Sequence, residues 1–109
     1  QFTQEDQVEL AFPPGISLHA RPASLIVSVV NHHGVPVEAE IAGHKANAAS
    51  IMSMMILAGR NPGARRVTFR GDRRVLDDLQ LLFGRCLLME PGETFPEELS
   101  YLESGEPEG

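Results

Sequence analysis

The sequence has a single cysteine and no long apolar run, and each of these shortages excludes a class of protein. A single cysteine, Cys86, excludes a disulfide within these 109 residues and fits a reducing compartment, so we expect a cytoplasmic protein. Apolar runs such as residues 25–30 are far shorter than the roughly 20 residues of a membrane-spanning helix. The first residues, QFTQEDQ, lack the basic and apolar regions of a signal peptide. We therefore expect no membrane insertion.

Basic residues are absent from the last part of the chain, which divides the sequence in two. Residues 90–109 hold seven Glu and no Lys or Arg, whereas residues 1–89 hold nine basic and eight acidic residues. The net charge of −6 therefore belongs to the C-terminal part, and Pro91 and Gly92 mark the break. We predict one folded domain over residues 1–89 and an acidic tail containing Pro and Gly over residues 90–109.

The spacing of the apolar residues predicts the element order βαββαβα. Strands are expected at 7–12, 35–41, 44–48 and 65–70, and helices at 20–32, at 51–58 and from 72 onward. Alternation of strands and helices with one hairpin in the middle predicts an α+β fold. That fold is an open-faced β-sandwich, in which a four-stranded, mostly antiparallel sheet carries three helices on one face. In the tail, FPEELSYL could add one or two helical turns.

Local signals set the expected ends of these elements. Asn31 and Gly34 are stop signals for the first helix, and Gly59 is the stop signal for the second. Ser50 is a typical N-cap of the second helix, because its hydroxyl can accept from a first-turn N–H. Pro36 confines the second strand to an early or edge position, since proline cannot donate to the ladder.

Two helices are expected to bury one apolar face each. Helical spacing assigns Ala23, Ile26, Val27 and Val30 to the core face of the first helix. The same spacing assigns to the last helix the core residues Val75, Leu76, Leu79, Leu82, Phe83 and Cys86. Cys86 is therefore expected to be a buried, inert thiol.

The most informative segment is Leu18–Ala23, where a histidine stands at the predicted start of the first helix. A helix N-terminus attracts anions through its unpaired N–H groups and its dipole. Neutral imidazole is nucleophilic near pH 7, and Arg21 could add a charge-assisted hydrogen bond to a phosphate. His19 is thus a candidate phosphoryl acceptor. A histidine that merely caps the helix is the alternative, and spacing alone does not decide between the two.

Two segments resemble a known family. SLHARPAS resembles G-L-H-A-R-P-A, the active-site signature of HPr, the histidine-containing phosphocarrier of the bacterial sugar phosphotransferase system. GHKANAASIMSMMILAG resembles the regulatory segment of that family, G-K-x-x-N-x-K-S-I-M-G-V-M-x-L-G, and the two segments align without a gap between them. The resemblance covers about residues 7–89 and includes the predicted order of elements.

The resemblance implies a function. His19 would carry the phosphoryl group on Nδ1, and Arg21 would stabilise it. The donor would be Enzyme I, charged by phosphoenolpyruvate, and the acceptor a sugar-specific Enzyme IIA. Such a phosphocarrier is a substrate of enzymes rather than an enzyme, needs no cofactor, and is expected to be a monomer.

The resemblance also implies regulation and docking. Ser50 would be phosphorylated by an ATP-dependent serine kinase, dephosphorylated by a phosphorylase, and could control docking to a transcription regulator. Partner proteins would dock on a surface formed by Ala20, Ser24, Ile51, Met52 and Met55. Sequence alone leaves open that the apolar residues of the second helix, with Met54 and Leu57, are all core.

The sequence departs from the family pattern at five places. Ser17 stands where the family has glycine, the preceding loop PPGIS is unusual, and Ala49 stands where lysine commonly precedes the regulatory serine. The segment FRGDRR is shorter than usual, and the acidic tail has no counterpart in an ordinary member.

Three other functions are less favoured by the sequence than phosphotransfer. A regulatory binding protein of the same fold would use Ser50 and leave His19 idle. A metal site would need His32, His33 and His44 to converge, which neighbours about 100° apart on a helix rarely do. Nucleic-acid binding would use the arginines at 60, 65, 66, 70, 73 and 74, but a solvated or tail-paired basic face is the better interpretation. We therefore expect no metal and no nucleic acid.

Overall fold

The computed structural model describes residues 6–87 and 94–102. The elements are β1 Asp6–Ala11, α1 Ala20–His33, β2 Val37–Ile41, β3 His44–Asn47, α2 Ile51–Arg60, β4 Arg66–Gly71 and α3 Arg73–Leu81. A π-helical turn, Leu82–Cys86, prolongs α3, and a 3₁₀ helix covers Glu97–Leu102. The predicted order βαββαβα is confirmed, and the segment FPEELSYL, where one or two helical turns are expected, contains the 3₁₀ helix.

The four strands form one antiparallel sheet in the order β1-β4-β2-β3. Phe69 lies at its centre, opposite Val8 on one side and Ala39 on the other. The inward side chains of β2 and β4 are buried and join the helices in one core. The other face carries Glu38, Glu40 and Arg70. The sequence-predicted α+β fold, with one open sheet face, is therefore confirmed.

Helix α1 ends at His33, one residue beyond the predicted end at residue 32, so Gly34 is the predicted stop signal that ends it. Gly34 provides the end, because its φ of 70° is the left-handed conformation that glycine adopts freely, and its N–H donates to Val30 O at 3.0 Å. Asn31 instead faces out of the helix and donates through Nδ2 to Ala49 O at 3.1 Å. The predicted core face is wrong at one position, since Val27 is half-buried and Val29 is fully buried.

Two other predicted boundaries are wrong. Strand β2 begins at Val37, so Pro36 lies before the ladder and β2 occupies an interior place in the sheet. Helix α2 passes through Gly59 and ends at Arg60, where the side chain of Asn61 donates to Leu57 O at 3.0 Å.

Helix α3 buries the face that its spacing predicts. All six predicted core residues of α3 and its π-helical turn are buried. Phe83 packs against Phe12 and Phe69, with ring centroids 5.1 and 5.8 Å away. Phe12 follows β1, so this cluster joins the end of α3 to the start of the loop that leads into α1.

Part of the predicted tail packs against the domain. Leu99, in the 3₁₀ helix, is fully buried in the common core. The predicted boundary near Glu90 lies outside the described residues and stays a prediction. No helix among residues 6–87 and 94–102 is long and apolar enough to cross a membrane.

Candidate functional site

His19 is the N-cap residue of α1 and is exposed to solvent. Its backbone is extended, with φ −105° and ψ −171°, and its carbonyl accepts the first helical hydrogen bond, from Ala23 N at 3.0 Å. The neighbouring Leu18 and Pro22 are buried and fix the chain on both sides of the histidine. His19 therefore lies at the positive end of the helix dipole, where an added anion is favoured.

The loop before His19 is held by its own turn and by a backbone hydrogen bond to Arg65, the residue before β4. Phe12 is buried, and its N–H donates to Arg65 O at 2.8 Å. Ile16 N donates to Pro13 O at 3.0 Å, across a turn in which Gly15 has a φ of 82°. That positive φ is why a glycine is needed at this point of the PPGIS loop. The loop thus connects β1, at the edge of the sheet, to His19 at the start of α1.

Ser17 contacts His19 twice. Its hydroxyl oxygen lies 2.8 Å from His19 Nε2, and its carbonyl accepts from His19 N at 2.8 Å. No side-chain cap hydrogen bond joins His19 to the first turn of α1. The ring is therefore held by Ser17. In the sequence Ser17 stands out only as a departure from a family pattern, and no local signal predicts the contact.

Arg21, Ala20 and Ser24 lie on the exposed part of the first two turns of α1. Arg21 is two residues beyond His19, in the first turn of the helix. Their exposure is what the sequence-predicted phosphate-stabilising and docking roles require, and those roles stay predictions.

Ser50 is the N-cap of α2, as predicted. Its Oγ accepts from Ser53 N at 3.1 Å, and its backbone is extended with φ −117° and ψ 119°. The preceding turn is fixed by Asn47, whose Oδ1 accepts from Ala49 N at 2.9 Å and whose carbonyl accepts from Ser50 N at 3.1 Å. Ser50 is half-buried, and the helix end tolerates negative charge at this position.

Helix α2 presents an exposed apolar surface, which we call the α2 patch: Ile51, Met52, Met55 and Ile56. Met52 is 69% exposed and Ile56 is 56% exposed, whereas Met54 and Leu57 are buried. The alternative in which the apolar residues of α2 are all core is therefore wrong. Ile56 was not predicted to belong to this surface, although its i+4 spacing from Met52 places both on one side of the helix.

The arginine run is largely paired with carboxylates of the domain. Arg70 Nη1 donates to Glu38 Oε1 at 2.7 Å, and Arg73 Nε donates to Asp6 Oδ2 at 3.0 Å. The hydrogen bonds that Arg70 donates to Glu38 and Glu40 raise the pKa of its guanidinium. Arg66 and Arg74 also lie within ion-pair distance of acidic residues of the domain. The predicted basic face is thus largely neutralised.

Two further sequence candidates are the thiol of Cys86 and the histidines considered for a metal site. Cys86 is fully buried, and this burial raises the pKa of its thiol, which disfavours the reactive thiolate. Within residues 6–87 and 94–102, no group of three or more His, Cys, Asp or Glu side chains could hold a metal ion.

Comparison with protein-family models matches residues 5–83 to PTS-HPr, described as the PTS HPr component phosphorylation site. The chain belongs to the PTS HPr family. The match spans β1 to α3 and ends before the 3₁₀ helix of the tail. Comparison with curated protein sequences gives no match.

Solved structures of HPr proteins share this fold. The phosphocarrier protein HPr from Bacillus anthracis str. Ames is 28% identical, with a TM-score of 0.60, over 70% of this chain and 93% of that one. HPr-C-His from Thermoanaerobacter tengcongensis is 27% identical, with a TM-score of 0.61, over 72% of this chain and 91% of that one. The fold of this HPr-family chain is therefore the HPr fold.

Proposed function

We propose that this HPr-family protein is a cytoplasmic phosphocarrier that accepts a phosphoryl group on His19 Nδ1. The observation that carries the proposal is the exposed imidazole at the N-terminus of α1. Ser17 engages Nε2, which makes Nδ1 the ring nitrogen left for the phosphoryl group. The helix dipole and the guanidinium of Arg21 would offset the added negative charge.

The donor is Enzyme I, charged by phosphoenolpyruvate, and the acceptor is an Enzyme IIA protein or domain. In each transfer the bond from phosphorus to the donor atom breaks as the bond to the acceptor forms. The exposed α2 patch supports docking, because partners can bury its apolar side chains together with Ala20 and Ser24. The protein is then a substrate of other enzymes, works as a monomer, and needs neither cofactor nor metal.

Ser50 is a second, regulatory phosphorylation site in this proposal. A phosphate there adds a charge of about −2 beside Ile51 and Met52 while the helix end accommodates it. A serine kinase and a phosphorylase would set its state, and a transcription regulator could bind the modified form. The competing function is a regulatory binding protein that uses Ser50 and the α2 patch but not His19.

The deciding experiment is incubation with phosphoenolpyruvate and Enzyme I, followed by intact mass measurement. We expect one acid-labile, alkali-stable phosphoryl group in the wild type and none in His19→Ala. Addition of an Enzyme IIA should then discharge the group. Equal labelling of wild type and His19→Ala would refute the assignment, and no labelling of the wild type would favour the regulatory function.

A further inference from the structure

Ser17 is placed to decide which nitrogen of His19 carries the ring proton. A neutral imidazole has one N–H donor and one nitrogen with a free electron pair. The hydroxyl of Ser17 lies 2.8 Å from Nε2, and the helix contributes no side-chain cap bond to the ring. The carbonyl of Ser17 accepts from His19 N as well, so one residue fixes both the backbone and the ring of the histidine.

The hydroxyl oxygen of Ser17 can accept a hydrogen bond from Nε2–H, and this contact affects which ring nitrogen is nucleophilic. With the proton on Nε2, the electron pair lies on Nδ1 and can attack phosphorus. With the proton on Nδ1, that attack is blocked, and Nε2 is occupied by the hydroxyl. A side chain that accepts from Nε2–H therefore favours the reactive tautomer, since the partner of one ring nitrogen sets the state of the other.

We propose that Ser17 is a positioning residue that holds His19 in the tautomer with its proton on Nε2. This inference rests on the proposed transfer to Nδ1. During transfer the Nδ1–P bond forms, and the bond from phosphorus to the donor breaks with its electron pair staying on the donor. The ring becomes an imidazolium that keeps its proton on Nε2, and Nε2–H donates a charge-assisted hydrogen bond to Ser17 Oγ.

Release of the phosphoryl group reverses these changes. The Nδ1–P bond breaks, its electron pair returns to Nδ1, and the ring is neutral again with the proton still on Nε2. No proton has to move between the ring nitrogens in either transfer. Ser17 thus replaces the glycine of the family pattern with a group that acts on the histidine two residues later.

The test uses Ser17→Ala, Ser17→Gly and Ser17→Thr, with Ser28→Ala as the matched control. Ser28 is an exposed serine further along α1 and outside the site. Ring nitrogen chemical shifts of His19, measured by NMR across pH without any phosphoryl donor, report the tautomer. Transfer from Enzyme I reports the rate, and melting temperatures confirm that every variant is folded.

We expect the Nε2–H form to dominate in the wild type, in Ser28→Ala and in Ser17→Thr, which keeps a hydroxyl. Ser17→Ala and Ser17→Gly should shift toward a mixture and accept the phosphoryl group about three- to tenfold more slowly, the range for one lost hydrogen bond.

Three results would overturn the role of Ser17. One is an unchanged transfer rate in Ser17→Ala, whatever the tautomer does. Another is a slower rate with unchanged ring shifts, which would make Ser17 a partner contact. The third is a wild-type ring with its proton on Nδ1. Absence of labelling in the wild type would instead overturn the proposed function itself, and the donor-free NMR data separate the two failures.

Discussion

The imidazole of His32 lies flat against the ring of Tyr101, with centroids 3.6 Å apart and planes within 3° of parallel. The stack joins the end of α1 to the C-terminal 3₁₀ helix. The hydroxyl of Tyr101 donates to Asp78 Oδ2 at 2.9 Å, and His33 Nε2 lies 2.8 Å from the same oxygen. Together with the buried Leu99, these contacts make residues 97–102 part of the domain.

The buried, hydrogen-bonded hydroxyl of Tyr101 predicts that the folded domain loses stability at alkaline pH. Burial, then the hydrogen bond to Asp78, raises the pKa of Tyr101 above its usual value. A raised folded-state pKa contributes stability that is fully present below the unfolded pKa of about 10 and is lost as pH rises above it. We expect the free energy of unfolding to fall between about pH 8 and about pH 11, and to fall less in Tyr101→Phe.

Denaturant unfolding at both pH values measures the difference, and tyrosinate absorbance follows ionisation directly because Tyr101 is the only tyrosine of the 109 residues. An equal fall in Tyr101→Phe would assign the alkaline sensitivity to other groups.

Arg21→Ala should slow phosphoryl transfer without changing the stability of the fold. The side chain is exposed, so the free energy of unfolding should change by no more than about 0.5 kcal/mol. Transfer to and from His19 should slow by about tenfold or more, because a charge-assisted contact to the phosphoryl group is lost. Arg74→Ala, at an exposed arginine of α3, is the control for loss of one positive charge. Wild-type rates in Arg21→Ala would exclude the assigned role.

Ser50→Ala and Ser50→Asp distinguish capping from regulation. Ser50→Ala removes the acceptor for Ser53 N and should cost about 1 kcal/mol of stability. Ser50→Asp keeps an acceptor at the helix N-terminus and should keep the melting temperature nearly unchanged. It should nevertheless slow phosphorylation of His19 by Enzyme I, because a charge beside the α2 patch must be desolvated on docking.

Gln80→Asp, which adds the same charge at an exposed position of α3, should transfer normally. A normal rate for Ser50→Asp as well would leave Ser50 with its capping role alone.

Met52→Glu tests the α2 patch as a docking surface. Met52 is 69% exposed, so stability should change by no more than about 0.5 kcal/mol. Burying the new carboxylate against a partner should slow transfer from Enzyme I by about tenfold or more. Gln80→Glu, at an exposed position of α3, controls for the added charge. Equal rates in both variants would place the docking surface elsewhere.

The elements whose signals are local could be predicted from the sequence. The alternation in β4, the apolar face of α3 and the cap at Ser50 each depend on neighbours within a few residues, and the structure confirms them. The position of His19 at a helix start follows in the same way from Pro22 and the apolar spacing of α1.

The missed features depend on contacts between distant residues. The side chain of Asn31 donates to Ala49 O, and no local pattern predicts that contact. The packing of Leu99 and Tyr101 could not be inferred either, since acidic neighbours and Pro96 indicate only a tail. The link from Ser17 to Nε2 was missed for a different reason, because it depends on the turn that the PPGIS loop adopts and on the ring orientation.

The position of β4 between β1 and β2 has a consequence for folding during synthesis of the chain. Arg70 Nε donates to Gln7 Oε1 at 3.2 Å across a separation of 63 residues, and the loop before His19 is anchored on Arg65 O. During synthesis, the loop that leads to His19 therefore emerges well before the residue that anchors it. Folding has to close this long loop, a slower event than forming α1, so the start of the His19 loop is fixed only after Arg65 and β4 have been made.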